Sequence, residues 1–527
     1  MRLDKVYIDG FKNLKDVEID FNEGRLTTVV IGQNGSGKSN LIEAITDVFR
    51  YVDLNCSAPR FRYEIDYRIG SHQVRITNRE GRPIILADGA LLTRTTFEKS
   101  QSEFFPDLIF GYYSGGSRRL EKLFDSHQRR YYDAIKLNDN PDDCRRALLE
   151  RRLFYCRSIH GVFALLSFFA FPEAAVTKIL RDKLGVTGFH STLAHFREPW
   201  YAKGSRASKV ADARDLWGAK GPAGACARQI RDCAFHPLTL IGNAIDDYRD
   251  KQDTEAEFAC FLRNADALRR FASGYANDQE MFTALEAADI SDLFRDLHVW
   301  VTRVNDATGD VSFADLSDGE RQLLMVLGLI RISRGKRALF LLDEPDTHLN
   351  PVWQHSYLNL IQEWTGVAAD AANCHIVLTS HNPLTIAALA KEEVRVMFTD
   401  GAGKVTVSAP YTDPKGMGFT ATLTEIFGLP TSLDAETQKI VDDRNALARI
   451  DQRTEEQEKR LIEINDRLNR LGFMFEDREP LYQDFLRAWH DVRYADQPPL
   501  SPEQIEKRHT AMRELIQKLL KEQQVES

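Results

Sequence analysis

Alternation of apolar and polar positions opens the chain. Arg2-Leu3-Asp4-Lys5-Val6-Tyr7-Ile8 and Val17-Glu18-Ile19-Asp20-Phe21 each set apolar side chains at every second position, as half-buried strands do, around a turn at Gly10-Phe11-Lys12-Asn13. A β-prone run, Leu26 to Ile31, leads through glycines into the helical pattern Asn40-Leu41-Ile42-Glu43-Ala44-Ile45. Phe61 to Thr77 alternates again around Gly70-Ser71, predicting an antiparallel hairpin continued by Ile84-Ile85-Leu86. Leu108 to Tyr113 reads as a buried strand ending at a glycine turn. From about Arg118 the period becomes helical. Strand signals return at Val299 to Val304 and Val311 to Phe313, followed by an apolar helix from Leu323 to about Ile332. The continuous runs Ala338 to Leu342 and His375 to Ser380 predict central parallel strands, buried on both faces. Val394 to Phe398 and Val405 to Val407 predict a closing hairpin. Beyond Thr431, Ile440, Leu447, Ile450, Leu461, Ile464, Leu468 and Leu471 keep three-four spacing up to a stop at Gly472, with two shorter helices at Leu481 to Val492 and Glu503 to Leu520.

Chemistry gathers where these elements end. Gly32-Gln33-Asn34-Gly35-Ser36-Gly37-Lys38-Ser39 matches G-x-x-x-x-G-K-S/T between a strand and a helix. Its glycines let backbone N–H groups turn toward phosphate oxygens, Lys38 supplies a point charge, and the Ser39 hydroxyl can ligate Mg²⁺. Asp343 and Glu344 end one buried strand and His381 follows another. Carboxylates there are costly unless they have partners or a task, and the carboxyl ends of strands in an open α/β sheet line the ligand crevice. Ser39, Asp343 and His381 are therefore expected to converge.

Composition narrows the class. At 527 residues, with hydrophobic residues at 43% and a mean hydropathy of −0.37, the chain predicts a soluble protein of roughly two to four domains. The most apolar run, Val162 to Phe171, stops at Pro172 and is too short to span a bilayer. Met1 leads straight into a strand pattern, predicting neither a secretory signal nor a transit peptide. Seven cysteines without a C-x-x-C pair argue against a zinc ribbon, a zinc hook or a redox dithiol and fit a reducing cytoplasm. Net charge is −9, yet Ser117 to His236 holds 22 Lys and Arg against 13 Asp and Glu, a net of +9. The pairs Arg145-Arg146 and Arg151-Arg152, with aromatic residues interleaved, are nucleic-acid candidates on that account. Solvated helix faces, or pairing with acidic helices, are the plainer alternatives.

Four elements in this order resemble the ABC-type ATPase heads of the SMC, Rad50 and RecF kind: Gly32 to Ser39 as Walker A, Leu316-Ser317-Asp318-Gly319-Glu320-Arg321-Gln322 as signature, Leu339 to Glu344 as Walker B, and His381 as switch histidine. The 278 residues from Ser39 to Ser317 exceed a compact transporter lobe and are too few for long coiled-coil arms. With Gly111 to Gly115, Leu184-Gly185-Val186, Pro199-Trp200 and Trp217 to Gly221, the pattern resembles the PtuA-type ATPases of Septu antiviral systems, including those attached to retrons. The resemblance implies an α/β ABC-type head with a large helical insert and a C-terminal helical region. Its parts are residues 1–116 with Walker A, a mainly helical basic insert over 117–298, the signature, Walker B and switch-histidine part over 299–430, and a partner-binding region over 431–527.

The resemblance also implies ATP and Mg²⁺ as ligands. Asn34, Gly35, Ser36, Gly37, Lys38, Ser39 and Asn40 would hold the nucleotide, with Lys12 nearby. Ser39 and Asp343 would hold Mg²⁺, Glu344 and His381 would be catalytic, and Asp346 would form the D-loop. Ser317, Asp318, Gly319 and Glu320 would serve a nucleotide held by a second subunit in a head-to-tail dimer. Implied partners are an HNH nuclease of the PtuB kind, nucleic acid, and a reverse transcriptase with its msDNA. No glutamine occupies the Q-loop place, where Tyr113-Ser114 stands. Two rival readings are a DNA-repair ATPase and an ATPase fused to a Toprim nuclease, of the overcoming-lysogenization-defect kind.

Overall fold

The computed structural model describes residues 1–22, 24–201, 213–243, 254–367, 373–400, 403–429, 431–450 and 453–471. They fall into two compact units, 1–386 with 392–408 and 387–391 with 409–527.

Fully buried apolar strands build the centre of the first unit. Thr27–Gly32, Cys374–Ser380 and Ala338–Asp343 are buried at every position and lie side by side in a seven-stranded sheet. Its order is Val405–Ser408, Val394–Thr399, Thr27–Gly32, Cys374–Ser380, Ala338–Asp343, Leu108–Tyr113, Leu153–Tyr155. All neighbours are parallel except the first two. Strands buried on both faces need side chains of one character throughout, which is why these runs do not alternate. Register brings Asp343 level with Thr379 on one side and Tyr113 on the other, so three strand ends meet at one edge.

The alternating segments do what their period dictates. Val17–Asp20, Arg2–Asp9, Arg62–Ile69, His72–Thr77, Ile84–Ala87 and Ala90–Leu92 form an antiparallel sheet in that order. One core joins its inner face to helix Lys38–Leu54 and the central sheet, with Val6, Ile8, Phe49, Ile65, Tyr67 and Leu341 all buried.

The insert holds strands as well as helices. Besides its helices it supplies Leu238–Asn243, Thr254–Leu262 and Val186–Arg197 to a five-stranded antiparallel sheet, which Phe294–Arg303 and Asp306–Ser312 complete. The long strand Val186–Arg197 carries Thr, His, Ser and Gly among few large apolar residues, so hydrophobic period alone does not mark it. The apolar run after Val162 becomes helix Ser158–Ala170, which crosses helix Asp318–Ile332 so closely that a side chain at Gly328 would collide with Ala164. Among the described residues no helix is long and apolar enough to cross a membrane.

In the second unit, helices Ala435–Ala448 and Glu455–Arg470 pack as a pair, with Ile440, Leu461 and Leu468 buried and Arg467 paired to Glu436. The stop at Gly472 and the two helices expected after it lie outside the described residues.

Candidate nucleotide-binding site

The buried strand Thr27–Gly32 delivers the chain to a loop whose backbone only glycine tolerates. Gly35 and Gly37 have φ of +83° and +101°, in the left-handed region that costs other residues about 1–2 kcal/mol. A Cβ on Gly37 would also stand 2.8 Å from Leu14 Cδ2 and 2.9 Å from Asn13 Oδ1. The turn before the loop is therefore its brace. Asn13 Nδ2 donates to the Gly35 carbonyl at 2.9 Å, and Asn13 Oδ1 accepts from Asn40 Nδ2 at 2.7 Å. Lys12, in the same turn, pairs with Glu43 of the adjoining helix and lies 3.3 Å from Asn40 Oδ1. Lys38 Nζ donates to the carbonyls of Gly32 at 2.8 Å and Gln33 at 3.2 Å. Burial lowers the Lys38 pKa, against the opposing pull of Glu344 and Asp343. Asn34 and Gly35 stand exposed, while Ser36 is buried with its hydroxyl unpartnered.

Ser39 Oγ donates to Asp343 Oδ1 at 3.0 Å across 304 residues of sequence, and Thr379 Oγ1 donates to the same oxygen at 2.6 Å. Burial raises the Asp343 pKa, with these two bonds opposing. Glu344 takes a left-handed φ of +55°. Its N–H donates to Thr379 Oγ1 at 3.0 Å and to the Thr379 carbonyl at 3.2 Å, which fixes the turn. The Glu344 carboxylate meets His381 Nε2, and this bond holds its pKa below the ordinary value. Asp346, also buried, accepts from Ser380 Oγ at 2.6 Å and from Thr385 Oγ1. Burial raises its pKa against those bonds.

Three residues at this site were not singled out from sequence. Asn13 could have been suspected from an Asn beside a phosphate-loop turn. Thr379 is visible only once strand register sets it opposite Asp343. Arg119 is the third. Its Nε lies 3.0 Å from Glu43 Oε1, its Nη2 3.7 Å from Asp343 Oδ2, and its guanidinium 5.4 Å from the Tyr113 ring centroid. It enters from the segment following strand Leu108–Tyr113, where no Q-loop glutamine is found.

The signature turn is organised differently. Ser317 caps helix Asp318–Ile332, accepting from the Glu320 N–H at 3.3 Å, while Glu320 Oε2 accepts from the Ser317 N–H at 2.8 Å and its hydroxyl at 2.9 Å. This reciprocal capping box satisfies otherwise orphaned helix donors. Arg303 pairs with Glu320, and Arg321 with Asp318. Gly319 is needed for contact, since a Cβ there would stand 2.7 Å from the His348 carbonyl oxygen. Gln322 is buried, its amide 3.4 Å from the Glu344 carbonyl.

The arginine candidates divide. Arg145 and Arg146 are exposed, Arg146 with Asp143 at 3.7 Å. Arg151 is 6% exposed, ion-paired to Glu286 and set over the rings of Tyr131 and Phe154. Arg152 is largely covered, 3.8 Å from Asp53 and over Phe105. An interior ion pair has no face for phosphate, so Arg151 is a structural residue, and Arg152 shares its inward setting.

The residues present suit ATP with Mg²⁺. The positive-φ glycines and Lys38 form a phosphate cradle, and Ser39 Oγ and Asp343 Oδ1 are the hard oxygen donors that Mg²⁺ takes alongside phosphate and water. Among the described residues no group of three or more His, Cys, Asp and Glu could hold a metal without such help.

A family model described as "AAA ATPase domain" matches residues 1–84, and one described as "AAA domain, putative AbiEii toxin, Type IV TA system" matches residues 230–387. No curated protein matches the chain. Among solved structures, the Smc head domain with an extended coiled coil bound to the C-terminal domain of ScpA, from Pyrococcus furiosus, is 15% identical, covering 77% of this chain and 96% of that one at a TM-score of 0.32. The Smc head domain with a coiled coil and joint from Pyrococcus yayanosii is 13% identical over 78% and 97%, also at 0.32. The recombination mediator RecF with ATP is 12% identical over 72% and 92%, at 0.25. None of these likenesses lends this chain a partner. Residues 1–84 and 230–387 match AAA-family ATPase domains, the first holding the phosphate loop and the second the signature turn, Asp343, Glu344 and His381, in a mixed α/β fold.

Proposed function

We propose that this protein binds and hydrolyses ATP at this site, and that it is the regulatory ATPase of a prokaryotic antiviral complex controlling a separate HNH nuclease of the PtuB kind. The observation that supports the chemistry is the meeting of Ser39, Asp343, Glu344 and His381 from two strand ends and one helix start. Lys38 and the loop amides hold the β- and γ-phosphates. Ser39 and Asp343 hold Mg²⁺, which when bound offsets charge on the phosphate oxygens. Glu344, kept ionised by His381, orients the attacking water and accepts its proton. Arg119 positions the Asp343 carboxylate from the side away from Ser39.

Ser317 to Glu320 serve a nucleotide on a second copy, giving a two-fold head-to-tail dimer around two ATPs. The antiviral setting, the nuclease partner and a reverse transcriptase with msDNA rest on the PtuA-type resemblance. The toxin–antitoxin wording of the model matched at 230–387 is compatible with control of a toxic effector. The chain itself does not cut nucleic acid; it contacts it through the basic insert. The test is to purify the Glu344→Gln protein with ATP from its native host and identify what copurifies. An HNH nuclease supports the reading, and recovery of repair proteins alone replaces it with the DNA-repair ATPase. Loss of phage protection with Lys38→Ala ties defence to the nucleotide.

A further inference from the structure

The strongest unassigned feature is a cleft of about 450 Å³ beside helix Glu121–Ile135, within the size range of small-molecule sites. Asp125, Gln128, Arg129 and Tyr132 line it at helix positions i, i+3, i+4 and i+7, which places them on one face. Trp200 closes one side. Its ring is stacked on Tyr132 with centroids 5.7 Å apart and planes at 21°, and Lys136 Nζ lies 4.6 Å from the Tyr132 centroid. Tyr132 is buried beneath, yet Trp200 remains 54% exposed. Tryptophan is a large apolar residue usually well covered in a folded protein. Here one face is fixed by a partner ring, Lys136 Nζ lies 5.9 Å from the Trp200 centroid, and more than half of the residue still meets solvent.

Other cations line the same cleft. Arg118 and Arg129 have side chains 63% and 74% exposed, with Arg118 2.7 Å from Glu121 and Arg129 3.5 Å from Asp133. The exposed Arg129–Asp133 pair contributes at most about 1 kcal/mol, so a phosphate can take that carboxylate's place, while Arg118 also lies 3.9 Å from Asp125. Arg157, held by Asp289, lines the floor. A rigid aromatic platform, exposed guanidinium groups, and an amide and a carboxylate on the same helix face match one chemistry. The ring stacks a base, the arginines take phosphate, the Gln128 amide offers a donor and an acceptor to the base edge, and the Asp125 carboxylate offers an acceptor.

We propose that this cleft binds a nucleobase together with its phosphate, the base stacked on Trp200 and the phosphate on Arg118 and Arg129. Occupancy reaches the ATP site through one peptide unit, because Arg118 precedes Arg119, whose guanidinium sits on Glu43 and near Asp343. For a single-stranded nucleic acid, the inference rests on the nucleic-acid contact proposed above and gives it a place. A free nucleotide offers the same chemistry.

The test uses the full chain, labelled oligothymidylate and oligouridylate, and AMP as the free nucleotide. Trp200→Ala is expected to weaken oligonucleotide binding about 5- to 100-fold, the range of one lost base stack, with Trp200→Phe recovering most of it. Arg129→Ala, at an exposed position, is expected to flatten the slope of log affinity against log salt by about 0.7 to 1. Oligonucleotide binding that depends on Trp200 and resists AMP identifies a single strand as the ligand. AMP binding that depends on Trp200 identifies a free nucleotide. If wild type binds oligonucleotide and neither Trp200→Phe, Trp200→Ala nor Arg129→Ala changes it, the cleft is not the site although the nucleic-acid contact stands. If wild type binds neither oligonucleotide nor AMP with any dependence on Trp200, both ideas fall.

Discussion

The phosphate site and the signature turn handle their polar groups in opposite ways. At the first, Ser39, Asp343, Glu344 and His381 come from segments remote in sequence and meet side chain to side chain around one strand edge. At the second, Ser317, Asp318 and Glu320 find partners within a few residues or in the adjacent Arg303. A group held by long-range contacts is placed relative to the whole sheet and can position a reactant. A locally capped helix start is a self-contained surface unit, which suits docking against something outside the head.

The sharpest way to break this contrast is Glu344→Gln. Hydrolysis is expected to fall about 10²- to 10⁴-fold with ATP binding retained, the usual worth of a positioned general base. Phosphate release and nucleotide binding measured together check it, and near-wild-type turnover would remove Glu344 from the chemistry.

Long-range pairing outside the site gives the next effect. Arg151→Ala leaves Glu286 as an unpaired buried carboxyl and is expected to destabilise the fold by about 3–5 kcal/mol in denaturant melts. Burial already raises the Glu286 pKa above its ordinary 4.5, against the pull of Arg151. A carboxyl whose pKa is raised in the fold favours the folded state below the unfolded pKa and loses that contribution as pH rises through the folded value. Removing Arg151 moves the folded value further up. The variant's deficit should therefore be largest at neutral pH and shrink as pH falls toward about 5. A deficit independent of pH would mean that Glu286 is not the group left uncompensated.

Ser317→Arg tests the local side. Losing the cap costs about 0.5–2 kcal/mol, whereas ATP-driven dimerisation on the Glu344→Gln background is expected to disappear while ATP binding persists. Light scattering with and without ATP decides it, and an unchanged dimer would reduce the signature turn to a helix cap. The smallest effect belongs to Arg145→Ala with Arg146→Ala, at exposed positions, where stability should stay within about 0.5 kcal/mol of wild type by thermal melting.

What could be read in advance follows the same division. Ser39, Asp343 and His381 are legible because each residue type stands out at the end of a strand that is itself a plain apolar run. The roles of Thr379 and Arg119 depend on register and on Glu43, and no local pattern encodes either. Arg151 and Arg146 look alike as members of arginine pairs, yet the partner that buries Arg151 lies 135 residues away at Glu286. Two strands of the five-stranded sheet were legible at Val299 to Val304 and Val311 to Phe313, and the other three escaped for a related reason. Strand Val186–Arg197 is made by pairing with Thr254–Leu262 and Phe294–Arg303 and not by its own apolar period.

The left-handed backbone at Glu344 sets selection for robustness against selection for work. Glycine would relieve about 1–2 kcal/mol of conformational cost at that position and would remove the carboxylate that meets His381. A library screened for resistance to heat or proteases alone should therefore enrich Glu344→Gly among its survivors. Consensus or thermostability engineering of this protein needs an activity counter-screen at that residue before anywhere else.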